Sequence, residues 1–285
     1  MMPRILDWSH SEGEHDSTTG LRQHRGDRDR WTAAVPLLAD QLRALTLSDL
    51  RARYGRGRWQ LVKWLIDPFA LVGVYLLLVT FIFYRRPHAI GLALACSIIP
   101  FQLMTMTVSN SLNSVQIRRS IIANMRFARD LLPISTALTE TLGFAASLVL
   151  LALTMAIYGI APTVSILWLP IVLFETVLMG VAVAYPATLI GVWAPDVRGL
   201  ILSLVRAAYF LAPGLVTLAE IHGTTNTLVR LNPLTGLIEA LRHAVLYRSS
   251  PPAWELLYPL AVSVLLLLIT VPIYRREQNH FAKLI

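Results

Sequence analysis

The sequence predicts an all-α integral membrane protein with six transmembrane helices, and three observations predict it. Six long apolar runs occupy the chain from residue 64 onward, each near the ~17 to 25 residues that a helix needs to cross the hydrocarbon core at about 1.5 Å per residue. Of the 285 residues 55% are hydrophobic and only 15% are charged, well away from an ordinary globular domain. A hydrophilic, strongly basic leader precedes the runs.

Residues 1–33 read as a disordered cytoplasmic tail, because charges of both signs mix with Ser, Thr and Gly from Ser9 to Arg30 and no apolar core suggests a secretory signal. Residues 34–63 read as an amphipathic interface helix. Val35, Leu38, Leu42 and Leu45 recur at helical spacing, and Arg51, Arg53, Arg56 and Arg58 follow around Tyr54 and Trp59, which suits an apolar face in the acyl boundary with arginines at the headgroups. That helix is either a plain membrane anchor or a contact for a soluble partner. Residues 64–285 form the membrane domain, with spans at about 64–84, 89–113, 132–158, 166–192, 200–219 and 256–274.

The interruptions between spans are as informative as the spans. From Gln116 to Asp130, Arg118, Arg119, Arg126 and Arg129 are punctuated by Ile117, Ile121, Ile122, Met125 and Phe127. The stretch is too apolar for a solvated loop and too charged for a span; it fits a short amphipathic helix docking into another protein, or a loop that only retains positive charge inside. After span five, Asn232 and Pro233 lead into Leu234, Leu237, Ile238, Leu241 and Val245, an apolar periodicity that predicts a helix re-entering or capping the bundle.

Loop charge sets the expected orientation. Of the Lys and Arg residues, 11 precede the first span, four lie in Gln116 to Asp130, Arg198 lies between spans four and five, and three lie in the tail, so 19 fall on the side of the termini. Five fall opposite: Arg85, Arg86, Arg230, Arg242 and Arg248. Both termini are therefore expected in the cytoplasm of a multi-pass protein. The net charge of +8 reads as attraction to anionic lipid headgroups, and no nucleic-acid-binding module accompanies it.

Polar side chains inside spans are costly and face a bundle interior or an aqueous path. Gln102, Met106, Ser109, Asn113 and Gln116 share one helical stripe in span two, and Gly199, Ser203, Arg206, Phe210, Pro213 and Thr217 share another in span five. They suit either a polar path or interhelical hydrogen bonds that hold the bundle together. Glu140 and Glu175 are intramembrane acids, and Glu140 could neutralise Arg206. Phe69, Tyr75, Phe81, Phe83 and Tyr84, with Tyr209 and Phe210, are interfacial anchors or stacking surfaces for sugar rings. No phosphate-binding loop, H-E-x-x-H, G-x-S-x-G or Cys/His cluster occurs, and the lone Cys96 reads as a small buried residue, so neither a catalytic set nor a metal site is expected. Any uphill transport must draw its energy from a partner or an ion gradient.

The segment Asp49-Leu-Arg-Ala-Arg-Tyr-Gly-Arg-Gly-Arg-Trp-Gln-Leu-Val-Lys-Trp-Leu-Ile-Asp-Pro68, the basic connection after span two, and Asn232-Pro233 with its helix before the last span resemble the membrane-spanning subunits of type-2 ABC exporters. Among these the likeness is to O-antigen and polysaccharide export permeases, over about Ala34 to Ile285. The resemblance implies a homodimeric channel in the bacterial cytoplasmic membrane, paired with two ATPase subunits that hold the ATP and Mg. It implies ATPase coupling at Arg118, Arg119, Ile122, Met125, Arg126, Phe127 and Arg129, beside an interface helix with Leu38, Leu42, Leu45, Arg51, Arg53 and Tyr54. An outer gate would use Asn232, Pro233, Leu237 and Leu241. The cargo would be a lipid-linked glycan, and the Arg-rich composition makes the chain most similar to an actinobacterial version, for which cell-wall galactan on a polyprenyl diphosphate is the expected load. The alternatives are a type-2 drug or small-lipid exporter, a membrane-embedded glycosyltransferase, and an ion-coupled transporter. Asp67, Asp130, Glu140, Glu175 and Asp196 are too scattered for the transferase, and no internal repeat supports the last.

Overall fold

Helices account for all the regular structure that the computed structural model describes, which covers residues 39–51, 66, 69, 70, 73, 74, 77, 89–119, 129–214, 218 and 221–278. No strand occurs among these residues. The chain divides into two compact units at Gln41–Leu42. Of the first unit only helical residues 39–41 are described, and the architecture below is that of the second.

In chain order the helices are α1 (39–51), α2 (Ile90–Ile117), α3 (Leu131–Ile157), α4 (Leu169–Trp193), α5 (Arg198–Leu211), α6 (Thr224–Arg230), α7 (Pro233–Val245) and α8 (Ala253–Glu277). A 3₁₀ turn, Val164–Trp168, runs into α4. Four of them, α2, α3, α4 with its leading turn, and α8, are long and apolar enough to cross a membrane. The first expected span lies largely outside the described residues. The fifth run differs from expectation: its helix stops at Leu211 although apolar sequence continues to 219. Pro213 is the reason, since the residue before a proline is driven out of the helical region, and Ala212 is extended. Helix α5, at roughly 21 Å, is too short to span alone.

Helix α2 is the centre of the bundle. In its most apolar stretch 67% of residues are buried, against 17% in α8, and it packs on α3, α4, α5 and α7. Burial of two-thirds of this stretch suits a helix that is apolar on most of its faces. Lipid tails are as apolar as leucine, so close packing and hydrogen bonds hold such helices together, with little gain from apolar transfer. The sequence supplies both. Gly191 on α4 lies so close to α2 that a Cβ there would overlap the Leu112 carbonyl. Hydrogen bonds also cross between helices, as from Asn110 Nδ2 of α2 to Glu140 Oε1 of α3 (2.6 Å) and from Asn232 Nδ2, ahead of α7, to the Ala208 carbonyl of α5 (2.6 Å).

Turn chemistry explains the boundaries. Helix α3 ends in a left-handed Gly159 (φ 64°), with the Gly159 amide donating to the Ala156 carbonyl and Ile160 to Met155. Helix α7 starts at Pro233 under an Asn232 cap whose Oδ1 accepts from the Leu234 amide at 3.1 Å. Side chains facing away from the core are large and apolar: Val149 and Leu153 on α3, Ile171 and Phe174 on α4, and Leu257, Leu265 and Leu268 on α8 are all exposed. An apolar outer surface of this extent needs lipid around it.

Candidate functional site

The candidate site has two parts, one at each end of the bundle. At one end lie the C-termini of α2, α4 and α8 and the N-termini of α3 and α5. This basic end collects Arg118, Arg119, Arg129, Arg198, Arg275 and Arg276, the charges expected to face inward. The opposite end carries α6, α7 and the start of α8.

Arg118 follows the last turn of α2 and is buried. Its guanidinium pairs with Asp49 of α1, the two side chains being 6% and 24% exposed, and Nη1 donates to Thr136 Oγ1 of α3 at 3.4 Å. Beside the pair is a pocket of ≈ 260 Å³ lined by Asp49, Asn110, Ser114, Ile117, Arg118, Thr136, Thr139 and Glu140. Asn110 Nδ2 donates to Glu140 Oε1 at 2.6 Å. Sequence spacing allowed Glu140 to meet Arg206; Glu140 instead takes this amide, and Arg206 is exposed on α5. Arg119 and Ile117 are exposed beside the buried Arg118. Adjacent arginines therefore have opposite surroundings, which no loop-charge count reveals.

A second set of bonds gathers at Arg129 and Asp130, ahead of α3. Tyr274 donates to the Arg129 carbonyl at 2.9 Å, Arg129 Nη1 donates to the Gln278 carbonyl, and Arg275 Nε lies 3.4 Å from Asp130 Oδ2. Arg118 is thus tied to α1, and Arg129 and Asp130 to the end of α8. Ile122, Met125, Arg126 and Phe127 lie outside the described residues. Arg198 joins the same end, donating to Gln116 Oε1 at 2.7 Å.

On α1, Leu42 and Leu45 are half-buried and Leu50 is buried, while Arg43, Leu47 and Arg51 are exposed. The described part of this helix thus has one face turned inward and one turned out. Leu38, Arg53 and Tyr54 lie outside the described residues. The α2 stripe of Gln102, Met106, Ser109 and Asn113 is half-buried, unlike the buried faces beside it, and Ser203 and Phe210 on α5 are exposed. Tyr209 requires a correction. Fully buried, it stacks on Phe101 with ring centroids 4.1 Å apart, and its hydroxyl lies 3.4 Å from Ser97 Oγ and from the Gly214 carbonyl. Tyr209 seals the end of α5 and lines no path. Phe69 packs against the same cluster. Tyr75, Phe81, Phe83 and Tyr84 lie outside the described residues.

At the opposite end α7 is buried along most of its length, with Leu237 and Leu241 turned into the core. Asn232 does two jobs: besides capping α7 it donates from Nδ2 to the Ala208 carbonyl of α5 at 2.6 Å. Sequence reasoning missed the polar cluster behind α7. Glu239 Oε1 and Arg242 Nη1 form a 2.6 Å ion pair with side chains 3% and 1% exposed. Glu239 also accepts from the Leu218 amide (3.2 Å) and the Tyr247 hydroxyl (3.4 Å), and Arg242 reaches the Ala93 carbonyl of α2 (3.4 Å). His243 Nε2 lies 3.5 Å from Glu255 Oε1 on α8. The i,i+3 spacing of Glu239 and Arg242 was a readable signal; the burial of Glu255 left none. Burial, more than the nearby Glu239 charge, pushes the Tyr247 hydroxyl up to about 12, so it stays a proton donor.

Fold and sites together define a multi-pass helical membrane protein with a polar joint at its basic end, an internal helix at the other, and, among the described residues, no group of side chains able to hold a metal ion. Relatives show what such a protein is similar to. The chain is 26% identical to the O-antigen export system permease protein RfbA of Myxococcus xanthus, an alignment covering 85% of this chain and 96% of that protein. It is 21% identical to the RfbA permease of Klebsiella pneumoniae over 87% of this chain and 96% of that one. These likenesses bear out the resemblance to type-2 ABC permeases. No protein-family model matches the chain.

Proposed function

We propose that this chain is the permease subunit of an ATP-driven ABC exporter that moves a lipid-linked polysaccharide across the cytoplasmic membrane. The observation that carries this reading is the alignment with an O-antigen export permease over 96% of that protein's length. Two copies of the chain, each with six spans and both termini inside, form the channel, and two separate ATPase subunits bind ATP and Mg. Cell-wall galactan on a polyprenyl diphosphate is the proposed cargo. The segment that starts at Arg118 and ends at Arg129 receives the ATPase, and α7 with Asn232 and Pro233 closes the outer side.

In this scheme neighbouring residues do different work, and their difference in exposure supports the division. Arg119 and Ile117, being exposed, are offered to the ATPase, while Arg118 fastens the segment to α1 through Asp49. Half-buried Gln102, Ser109 and Asn113 with exposed Ser203, Arg206 and Phe210 supply the hydrogen-bonding and stacking groups that a glycan path requires.

The test is depletion of the chain in its own host. Lipid-linked glycan should accumulate on the inner leaflet, and the chain purified in mild detergent should bring an ATPase subunit at near-equal stoichiometry. Accumulation of a drug or a small lipid, with glycan export intact, would replace the cargo assignment by that of a small-molecule exporter. Purification without any ATPase would sink the exporter reading altogether.

A further inference from the structure

We propose that α8 carries movement at the basic end to the outer helix α7 through a joint at each of its own ends, with Tyr274 and Glu255 as the positioning residues of those joints. The inference rests on the exporter reading, from which it takes the ATPase as the source of movement.

The inner joint is a set of three bonds between the residues that lead into α3 and the last turn of α8. Tyr274, fully buried, donates to the Arg129 carbonyl; Arg129 donates to the Gln278 carbonyl; Arg275 pairs with Asp130. Residues 129 and 130 are therefore tied to α8 at three points, the buried Tyr274 bond being the one shielded from water. Tyr274 is held in place by the edge of Tyr185 on α4, with centroids 5.3 Å apart.

The outer joint is as close. Gly236 of α7 rests on α8 so tightly that a Cβ there would lie 2.7 Å from Pro259 Cγ and 2.8 Å from the Glu255 carbonyl. The Glu255 side chain faces His243, and Tyr258 donates to the Leu231 carbonyl at 2.6 Å. Arg230 of α6 lies over the Trp254 ring, 4.9 Å from its centroid. From Glu255 to Tyr274 a helix rises roughly 28 Å, about the thickness of the hydrocarbon core.

What separates α8 from the other helix that links both ends is its surroundings. Helix α2 also reaches from the Arg118 pair to Ala93 beside Arg242, but it is buried in the centre of the bundle. A shift of α2 would disturb four packed neighbours. Helix α8 packs on α4 and α7, and its other side, at Leu257, Leu265, Leu268 and Ile269, is open to lipid. Lipid yields where a packed core does not. Pro259 and Pro272 each remove one helical donor close to a joint, leaving the stretch between them regular.

The experiment uses the full chain assembled with its ATPase subunit in lipid, carrying Leu228→Cys on the exposed face of α6 as a reporter for a membrane-impermeant maleimide. Cys96 is the only native cysteine and is buried, so it does not interfere. In the otherwise native complex, ATP should change the labelling rate of the reporter thiol by about fivefold or more, the size of a typical coupling between sites. Tyr274→Phe and Glu255→Gln should each abolish that response and lower glycan export per ATP by a similar factor, while ATP hydrolysis persists. Leu268→Ala, on the lipid side of α8, should change nothing. Full labelling response and full export per ATP in both variants would overturn the proposal. Should either variant fail to assemble, exposed Arg275→Gln decides by the same criteria. A native complex that hydrolyses ATP with neither a labelling response nor glycan export would refute the exporter reading itself.

Discussion

The two ends of the bundle hold their charges differently. At the basic end the ion-paired acids keep some water: Asp49 is 24% exposed in its pair with Arg118, and Asp130 is 31% exposed beside an Arg275 that is 66% exposed. At the opposite end Glu239, Arg242 and Glu255 are 3%, 1% and 3% exposed. A buried pair is expensive to break, because the surviving charge stays desolvated. A wet pair is worth little and can be exchanged for water or for a new partner. The wet acids at the basic end thus cost less to separate from their arginines than the buried Glu239 does from Arg242 at the outer end.

The largest expected effect tests the outer end. Arg242→Ala leaves Glu239 without its ion pair and should lower stability by about 3–5 kcal/mol, read as a fall in melting temperature in detergent. Glu239→Gln with Arg242→Met should lose clearly less than the single change. A mild effect of Arg242→Ala would show that this end is wetter than its burial implies, and the contrast would fail. Gly191→Val probes the packing that both ends share. The side chain would have to displace the Leu112 carbonyl of α2, at about 1–3 kcal/mol, and an unchanged melting temperature would argue against so close an α2–α4 approach. At the basic end, Arg118→Gln should cost about 1–3 kcal/mol, since Asp49 can regain water while Thr136 loses a donor. A loss as large as that of Arg242→Ala would erase the difference between the ends. The smallest effect belongs to Arg275→Gln, with a change in stability within about 1 kcal/mol. A larger loss would mean that the Arg275–Asp130 pair is shielded from water.

Much of the fold was legible because membrane insertion is read from local composition. The runs at 89–113, 132–158, 166–192 and 256–274 correspond to helices Ile90–Ile117, Leu131–Ile157, Val164–Trp193 and Ala253–Glu277. The periodicity from Leu234 to Val245 likewise marked α7, and Asn232-Pro233 marked its start. The end of α5 was misjudged, because hydropathy continues past Leu211 while Pro213 and the Ser97–Tyr209–Gly214 contacts stop the helix. The site was less legible than the fold. Arg118 and Arg119 look alike in sequence, yet one is buried on Asp49 and the other exposed; Tyr209 and Phe210 divide the same way.

By itself the sequence determined that this is a multi-pass helical membrane protein with a basic side and that it resembles an export permease. Apolar length, loop charge and local motifs act within about one helix, so they survive being read in one dimension. Only the tertiary structure decided which polar and charged groups are partners. Asp49 with Arg118, Arg129 with Gln278, and His243 with Glu255 depend on helix ends brought together from distant parts of the chain. An ion pair depends on separations of a few ångströms and on the water left around it, and neither quantity exists until the helices have packed.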